Sequence, residues 1–299
     1  MNQYLGEIAA LGAAVCWTFT SAFFTESGRR VGSVVVNRLR LLAAGLYLSI
    51  FHVLIYGSFY PIDAAPERFL WLGLSGIIGF ALGDSCLLES FIRIGIHLSM
   101  LLMSLVPIIS AIIAWVFLGE NLDYMAVLAI VLTVSGVMIV IIDRRRSLPS
   151  NGQKHYLTGI LFGLGGAVGQ AVGLAMSKKG LFGDFSGLSA TLIRVSFAIP
   201  LVWLIAVLQK KIGTTIHSSK KTGAIKYIAL GAFTGPFLGV WLSMIAVQNT
   251  FVGIASTLMA LPPVFLLPIA HYYFKEKVTM VSILGTLIAV TGTALVFLG

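Results

Sequence analysis

Seven ionisable side chains interrupt otherwise apolar stretches of this sequence: Arg38, Arg40, His52, Asp84, Glu89, Arg194 and His271. Two kinds of chemistry are open to such residues. A carboxylate withdrawn from water can take up and release a proton, and a guanidinium in the same setting can hold an anion. Asp84 has no charged residue at helical spacing and lies deep in its run. It is expected either to pair across a bundle with Arg38 or Arg194 or to face a watery cavity and exchange protons. Glu89 is followed four residues later by Arg93, the spacing of a helix-surface bridge, so a structural role stands beside a functional one. Arg38 and Arg194 sit near the starts of their runs, where an arginine either snorkels to headgroups or binds an anion. Trp17, Gln170, Trp241, Gln248 and Asn249 supply the aromatic and amide groups that line small-molecule cavities. His271, close to the end of its run, reads as interfacial.

The elements that must position these residues are long apolar segments. The 299-residue chain is 58% hydrophobic and only 10% charged, with a mean hydropathy of +0.98. A soluble domain is about 25% charged, so this surface could not be wetted all round. A membrane-crossing helix needs roughly 20 apolar residues, and ten such runs are present, at about 5–24, 34–56, 69–88, 95–117, 122–142, 157–176, 189–208, 227–247, 252–274 and 278–298. Helices are expected throughout, because strand edges and loops cannot leave backbone groups unpaired in lipid. The first run lacks a preceding Lys or Arg and is expected to be a retained helix and not a cleaved leader. Cys16 and Cys86 lie inside apolar runs and read as small buried side chains. The formal net charge of +9 resides in the short gaps, which points to membrane lipids and not to nucleic acid.

A shift of 156 residues lays the second half on the first: Arg194 on Arg38, Pro263 on Pro107, Glu276 on Glu120, Gly292 on Gly136. It also lays Gly231, Gly235 and Gly239 on Ser75, Gly79 and Gly83; the sixth run fits better at 153, placing Gly165 on Gly12. Residues 1–146 and 157–299 are therefore read as two five-helix repeats joined by a linker at 147–156. Five crossings per repeat leave the second copy inverted, an arrangement common in secondary transporters. The glycines at a spacing of four suit close helix packing.

Glu120, in FLGENL, and Glu276, in YFKEKV, stand in matching positions before the fifth and tenth runs. Each is expected to meet the unpaired amides of the first turn of the helix it precedes. The pattern of Pro107, LGEN and Gly136, repeated as Pro263, FKEK and Gly292, resembles the ten-helix EamA-like branch of the drug/metabolite transporter (DMT) superfamily, over essentially the whole chain. The stretch AAVCWTF, with Trp17, and Arg38 in the second run add to the likeness. Thr18 stands where the family usually has Gly, Lys275 replaces the Gly before Glu276, and Gln170 is the second-half counterpart of Trp17.

The resemblance implies a carrier of small metabolites in the cell membrane, often an exporter, moving amino acids or related polar or amphipathic compounds by alternating access. No Walker motif for ATP, HExxH or paired metal-ligand spacing is present, so the expectation is a secondary carrier with no cofactor, with protons as a candidate coupling ion. A channel or a non-transporting receptor scaffold also accommodates duplication and intramembrane charge; a membrane enzyme fits less well. Orientation is contested. With Arg38, Arg40 and Arg194 set aside as lying within runs, fourteen Lys and Arg fall in the odd-numbered gaps against three in the even ones, which places both termini outside. The family resemblance implies cytoplasmic termini.

Overall fold

The computed structural model describes residues 3–118, 124–146, 153–183, 185–221, 223–249 and 252–298, and among these the chain is helical with no strand. The helices are α1 (Gln3–Val31), α2 (Ser33–Tyr56), α3 (Pro66–Ile94), α4 (Ile96–Met103), α5 (Val106–Leu118), α6 (Tyr124–Arg146) and α7 (Gln153–Gly180). They continue as α8 (Gly187–Leu208), α9 (Ile212–Lys221), α10 (Ala224–Ala232), α11 (Val240–Asn249), α12 (Val252–Met259), α13 (Pro262–Pro268) and α14 (Met280–Leu298). Eight stretches among the described residues are long and apolar enough to cross a membrane, and α14 holds a shorter apolar one. Large apolar side chains such as Leu46, Leu54, Leu161 and Leu204 point outward, as lipid contact requires. The chain is a multi-pass integral membrane protein.

Glycine supplies the single-residue turns between consecutive helices, Gly32 (φ 83°) from α1 to α2 and Gly95 from α3 to α4. Gly95 has φ 88° and joins α3 to α4 with no further residue between them, a conformation that costs an L side chain dearly. Prolines mark the other breaks. Pro107 and Pro263 are each the second residue of a helix, α5 and α13, where the missing N–H is one that no carbonyl would have accepted. The chain breaks just before each of them, at Ser104–Leu105 and at Ala260–Leu261. The fourth and ninth apolar runs are thus interrupted helices and not the continuous ones expected. The polar segment 209–226, between the seventh and eighth apolar runs, contains α9, whose Thr215 is buried.

Two π-helical stretches sit in matching register: Ile77–Gly83 within α3, and Phe233–Gly239 joining α10 to α11. They are related by the same shift of 156 as the sequence repeat. Two ladders of small residues form the two sides of one crossing. A methyl group added at Gly169 of α7 would lie 2.6 Å from Gly83 Cα of α3, and one at Gly173 would lie 3.1 Å from Gly79 Cα. Ser75 Oγ donates to the Gly173 carbonyl across the same contact at 2.6 Å. The third ladder, Gly231, Gly235 and Gly239, receives Phe24, Thr20 and Trp17 of α1. Helices α6 and α14 also touch through glycine, Gly136 against Gly285 and Ala289, and Gly292 against Thr133.

One end of the bundle gathers most of the basic residues. There Arg93 of α3 reaches His155 of α7 (3.4 Å), Arg144 of α6 donates to the Ile94 carbonyl (2.9 Å), and Ser33 donates to Glu89 (2.5 Å).

Candidate functional site

The lower edge of the α3 π stretch is where polar groups collect. Widening a helix to the π register frees carbonyls from the i−4 ladder. Two carbonyls of this stretch, Phe80 O and Ala81 O, accept from Asn37 Nδ2 at 3.2 and 3.1 Å, and the same amide donates to Ser85 Oγ at 2.7 Å. Arg40, one helical turn from Asn37 on α2, donates through Nε to Asn37 Oδ1 (2.8 Å) and through Nη2 to Phe80 O (3.2 Å). The Arg40 Nη2 also meets Asp84 Oδ2 at 2.5 Å. The other Asp84 oxygen accepts from Gln170 Nε2 on α7. Asn37, Arg40 and Asp84 are all buried, with Asp84 8% exposed. A buried pair of this kind holds only while both partners and their remaining hydrogen bonds are present, and here each Asp84 oxygen has a donor, Arg40 on one side and Gln170 on the other.

Arg194 approaches from α8. That helix crosses α3 at Gly76, where any side chain would overlap the Arg194 carbonyl. Its guanidinium carbon lies 4.3 Å from the centre of the Phe80 ring, and its Nε has no hydrogen-bond partner among the described residues. The cluster therefore holds one carboxylate, two guanidiniums and two amides about midway along α3, where small residues leave α7 in backbone contact.

Of the candidates read from sequence, Asp84, Gln170 and Arg194 come together. Asp84 does not pair with Arg38 or Arg194 as expected; its partner is Arg40. Residues two apart on a helix lie roughly 200° apart, so Arg38 is turned away from the face of α3 that carries Asp84. Arg38 instead donates to Thr215 Oγ1 at 3.1 Å and Gln209 Oε1 at 3.3 Å. Glu89 makes the expected bridge to Arg93 (2.7 Å) at the basic end. Trp17 packs on Gly239, and Trp241 stacks near Phe51 and Phe237, with ring centres 5.7 and 5.9 Å away. Both tryptophans belong to the α1–α10–α11 side and not to the polar cluster. Asn249 bonds back to the Ile245 carbonyl of its own helix (2.8 Å), and His271 is exposed. The Gln248 side chain and the whole of Glu120 lie outside the described residues.

Glu276 corrects the reading of the signature carboxylates. It does not cap α14, which starts only at Met280; its Oε1 accepts from the Ile96 amide at 2.7 Å, the first residue of α4. The other oxygen pairs with Arg144 at 2.6 Å. The attraction of a carboxylate for free helix amides is as expected, but the helix belongs to the other half of the chain. Lys275, with φ 57°, turns the backbone so that this reach is possible.

Two residues escaped the sequence reading. Asn37 carries no charge and nothing in its spacing marks it. His97 is fully buried in the first turn of α4, with Nε2 3.0 Å from Thr286 Oγ1 and Nδ1 without a partner among the described residues. Its position inside the apolar run GIHLSMLL was the available signal.

A multi-pass helical bundle whose halves share a register, with broken fourth helices and a buried ion pair midway, has the frame of a membrane carrier. The family model that matches is the EamA-like transporter family, over residues 4–142 and again over 157–298. The chain belongs to that family, and with it to the DMT superfamily. No curated protein matches it in sequence. A protein of known crystal structure, 16% identical, covers 98% of this chain and is covered over 96% of its own length, with a TM-score of 0.62. At that identity the likeness establishes the shared fold alone. The family is one of transporters and not of enzymes.

Proposed function

We propose that the protein is a secondary active carrier of small polar or amphipathic metabolites, amino acids and related compounds among them, working by alternating access between two inverted five-helix repeats. In this reading the chain crosses the membrane ten times, with α12–α13 and α14 as the last two crossings, residues 1–146 and 157–299 as the repeats and 147–156 as the linker. The observation that supports it most directly is the Arg40–Asp84–Gln170 cluster, buried where helices of the two halves touch. Asp84 is the coupling carboxylate, alternating between Arg40 and a proton. Arg194, with no carboxylate partner in the described ion pairs, engages the anionic group of the substrate. Trp17 and Trp241 line the apolar side of the path.

The test uses purified protein in liposomes loaded with a pH-sensitive dye. Amino acids, amines, nucleosides and sugar phosphates are added in turn to wild type, Asp84→Asn and Glu89→Gln. Saturable proton movement that depends on one compound class and vanishes in folded Asp84→Asn is the expected result. Flux that survives both substitutions would remove the coupling role from these carboxylates. Flux that never saturates would point to a channel.

A further inference from the structure

We propose that a second site, distinct from the Asp84 cluster, binds an amphiphile with an anionic head at the basic end of the bundle, with Arg38 as its anchor. A cavity of about 550 Å³ lies between α2, α3, α8 and α9, within the size range of small-molecule sites. Arg38 lines it and is 2% exposed. Two of the three Arg38 nitrogens bond only neutral oxygens, Thr215 Oγ1 and Gln209 Oε1, and Nε has no partner among the described residues.

A guanidinium this deeply buried needs a counter-charge. None is supplied by the neighbouring carboxylates: Asp84 is held by Arg40 and Glu89 by Arg93. Lys211, on the rim of the same cavity, adds a second cation. The positive potential is thus unbalanced where an anion could enter. The remaining walls decide the rest of the ligand. Val34, Leu82, Leu201 and Ile205 line the cavity, and Val34, Leu82 and Ile205 are themselves exposed on the outer face. They suit a hydrocarbon chain and disfavour a small hydrated anion. A phosphate or carboxylate head at Arg38 with its chain along these residues fits both features. A membrane lipid and a single-chain soluble amphiphile share that chemistry. The nearest contact with the transport cluster is Asn37, which lines the cavity and also bonds the α3 carbonyls.

Thermal unfolding of the purified full-length protein in a neutral detergent tests the site, with titrations of phosphatidylglycerol, phosphatidylcholine of the same chains, dodecyl phosphate and inorganic phosphate. Phosphatidylglycerol, dodecyl phosphate or both should stabilise the wild type at concentrations roughly tenfold below those of phosphatidylcholine and inorganic phosphate, the margin of one charge-assisted contact. A response to phosphatidylglycerol alone assigns the site to a two-chain lipid, and one to dodecyl phosphate alone to a soluble amphiphile. Arg38→Gln should abolish the preference, and Arg146→Gln, at an exposed arginine of the same end, should keep it. Equal responses to charged and zwitterionic lipid, an equal response to inorganic phosphate, or a preference intact in Arg38→Gln would overturn the proposal. Should Arg38→Gln fail to fold, Ile205→Trp fills the cavity and leaves the charge in place. Lost preference in that variant supports the site, and wild-type preference overturns it.

Discussion

The α3–α7 crossing and the α1–α10–α11 crossing hold corresponding places in the two halves, and they are built differently. Both carry a π stretch and a ladder of small residues on one helix. In the first, the partner helix is also glycine, so backbones touch: Gly83 on Gly169, Gly79 on Gly173. In the second, the partner is α1, and Trp17, Thr20 and Phe24 fill the grooves that glycine leaves. The neighbourhood follows suit. Beside the glycine–glycine contact stand Asn37, Arg40, Asp84 and Gln170. At the positions 156 residues on from Asn37, Arg40 and Asp84 stand Ile193, Ser196 and Val240. The second crossing has an aromatic cluster instead, with Phe51 and Phe237 ring centres 4.2 Å apart. A duplicated frame has thus kept its helix geometry and divided its chemistry, polar on one side and aromatic on the other.

This division can be broken at its strongest point first. Arg40→Met leaves Asp84 buried without its cation, and thermal unfolding in detergent should register a loss of about 3–5 kcal/mol. The double variant Arg40→Met, Asp84→Leu should recover most of it; no recovery would mean that Arg40 matters for packing and not for pairing. The second contrast concerns the ladders. Gly169→Ala puts a methyl against the Gly83 backbone and should cost about 1–3 kcal/mol. Gly235→Ala meets the Thr20 side chain before any backbone, and should cost less, about 1 kcal/mol. Equal costs would show that the two crossings are equally rigid. Smallest of the three, Trp241→Leu removes one aromatic edge and should cost about 0.5–1.5 kcal/mol without changing the pH dependence of any flux.

The helical segments were legible because lipid leaves a chain few alternatives. The repeat was legible because Arg, Pro and Glu recur in one register. The partner of Asp84 was not. Arg38 attracted attention through its duplicate, Arg194, while Arg40 has Ser196 in that place. Which of two arginines on opposite helix faces meets α3 depends on the rotation of α2, and apolar runs without a strong polar face do not fix that rotation. For Glu276 the chemistry was legible and the address was not. A carboxylate beside a helix start predicts capping, but the left-handed Lys275 and the delayed start of α14 send it to α4. The broken helices were half-visible, as prolines whose place in the first turn of a helix puts the break two to three residues upstream.

The Glu276 contact also orders events during synthesis. The Ile96 amide finds its acceptor 180 residues later in the chain, and Arg144, which steadies the Ile94 carbonyl, waits for the same side chain. While the ribosome is still producing the second half, the start of α4 has no cap and Arg144 has no counter-ion. The first half can insert, but its basic end cannot close until the loop before the last helix emerges. Closure of this end therefore waits for residue 276, and a nascent chain halted before it should remain open to protease at Gly95.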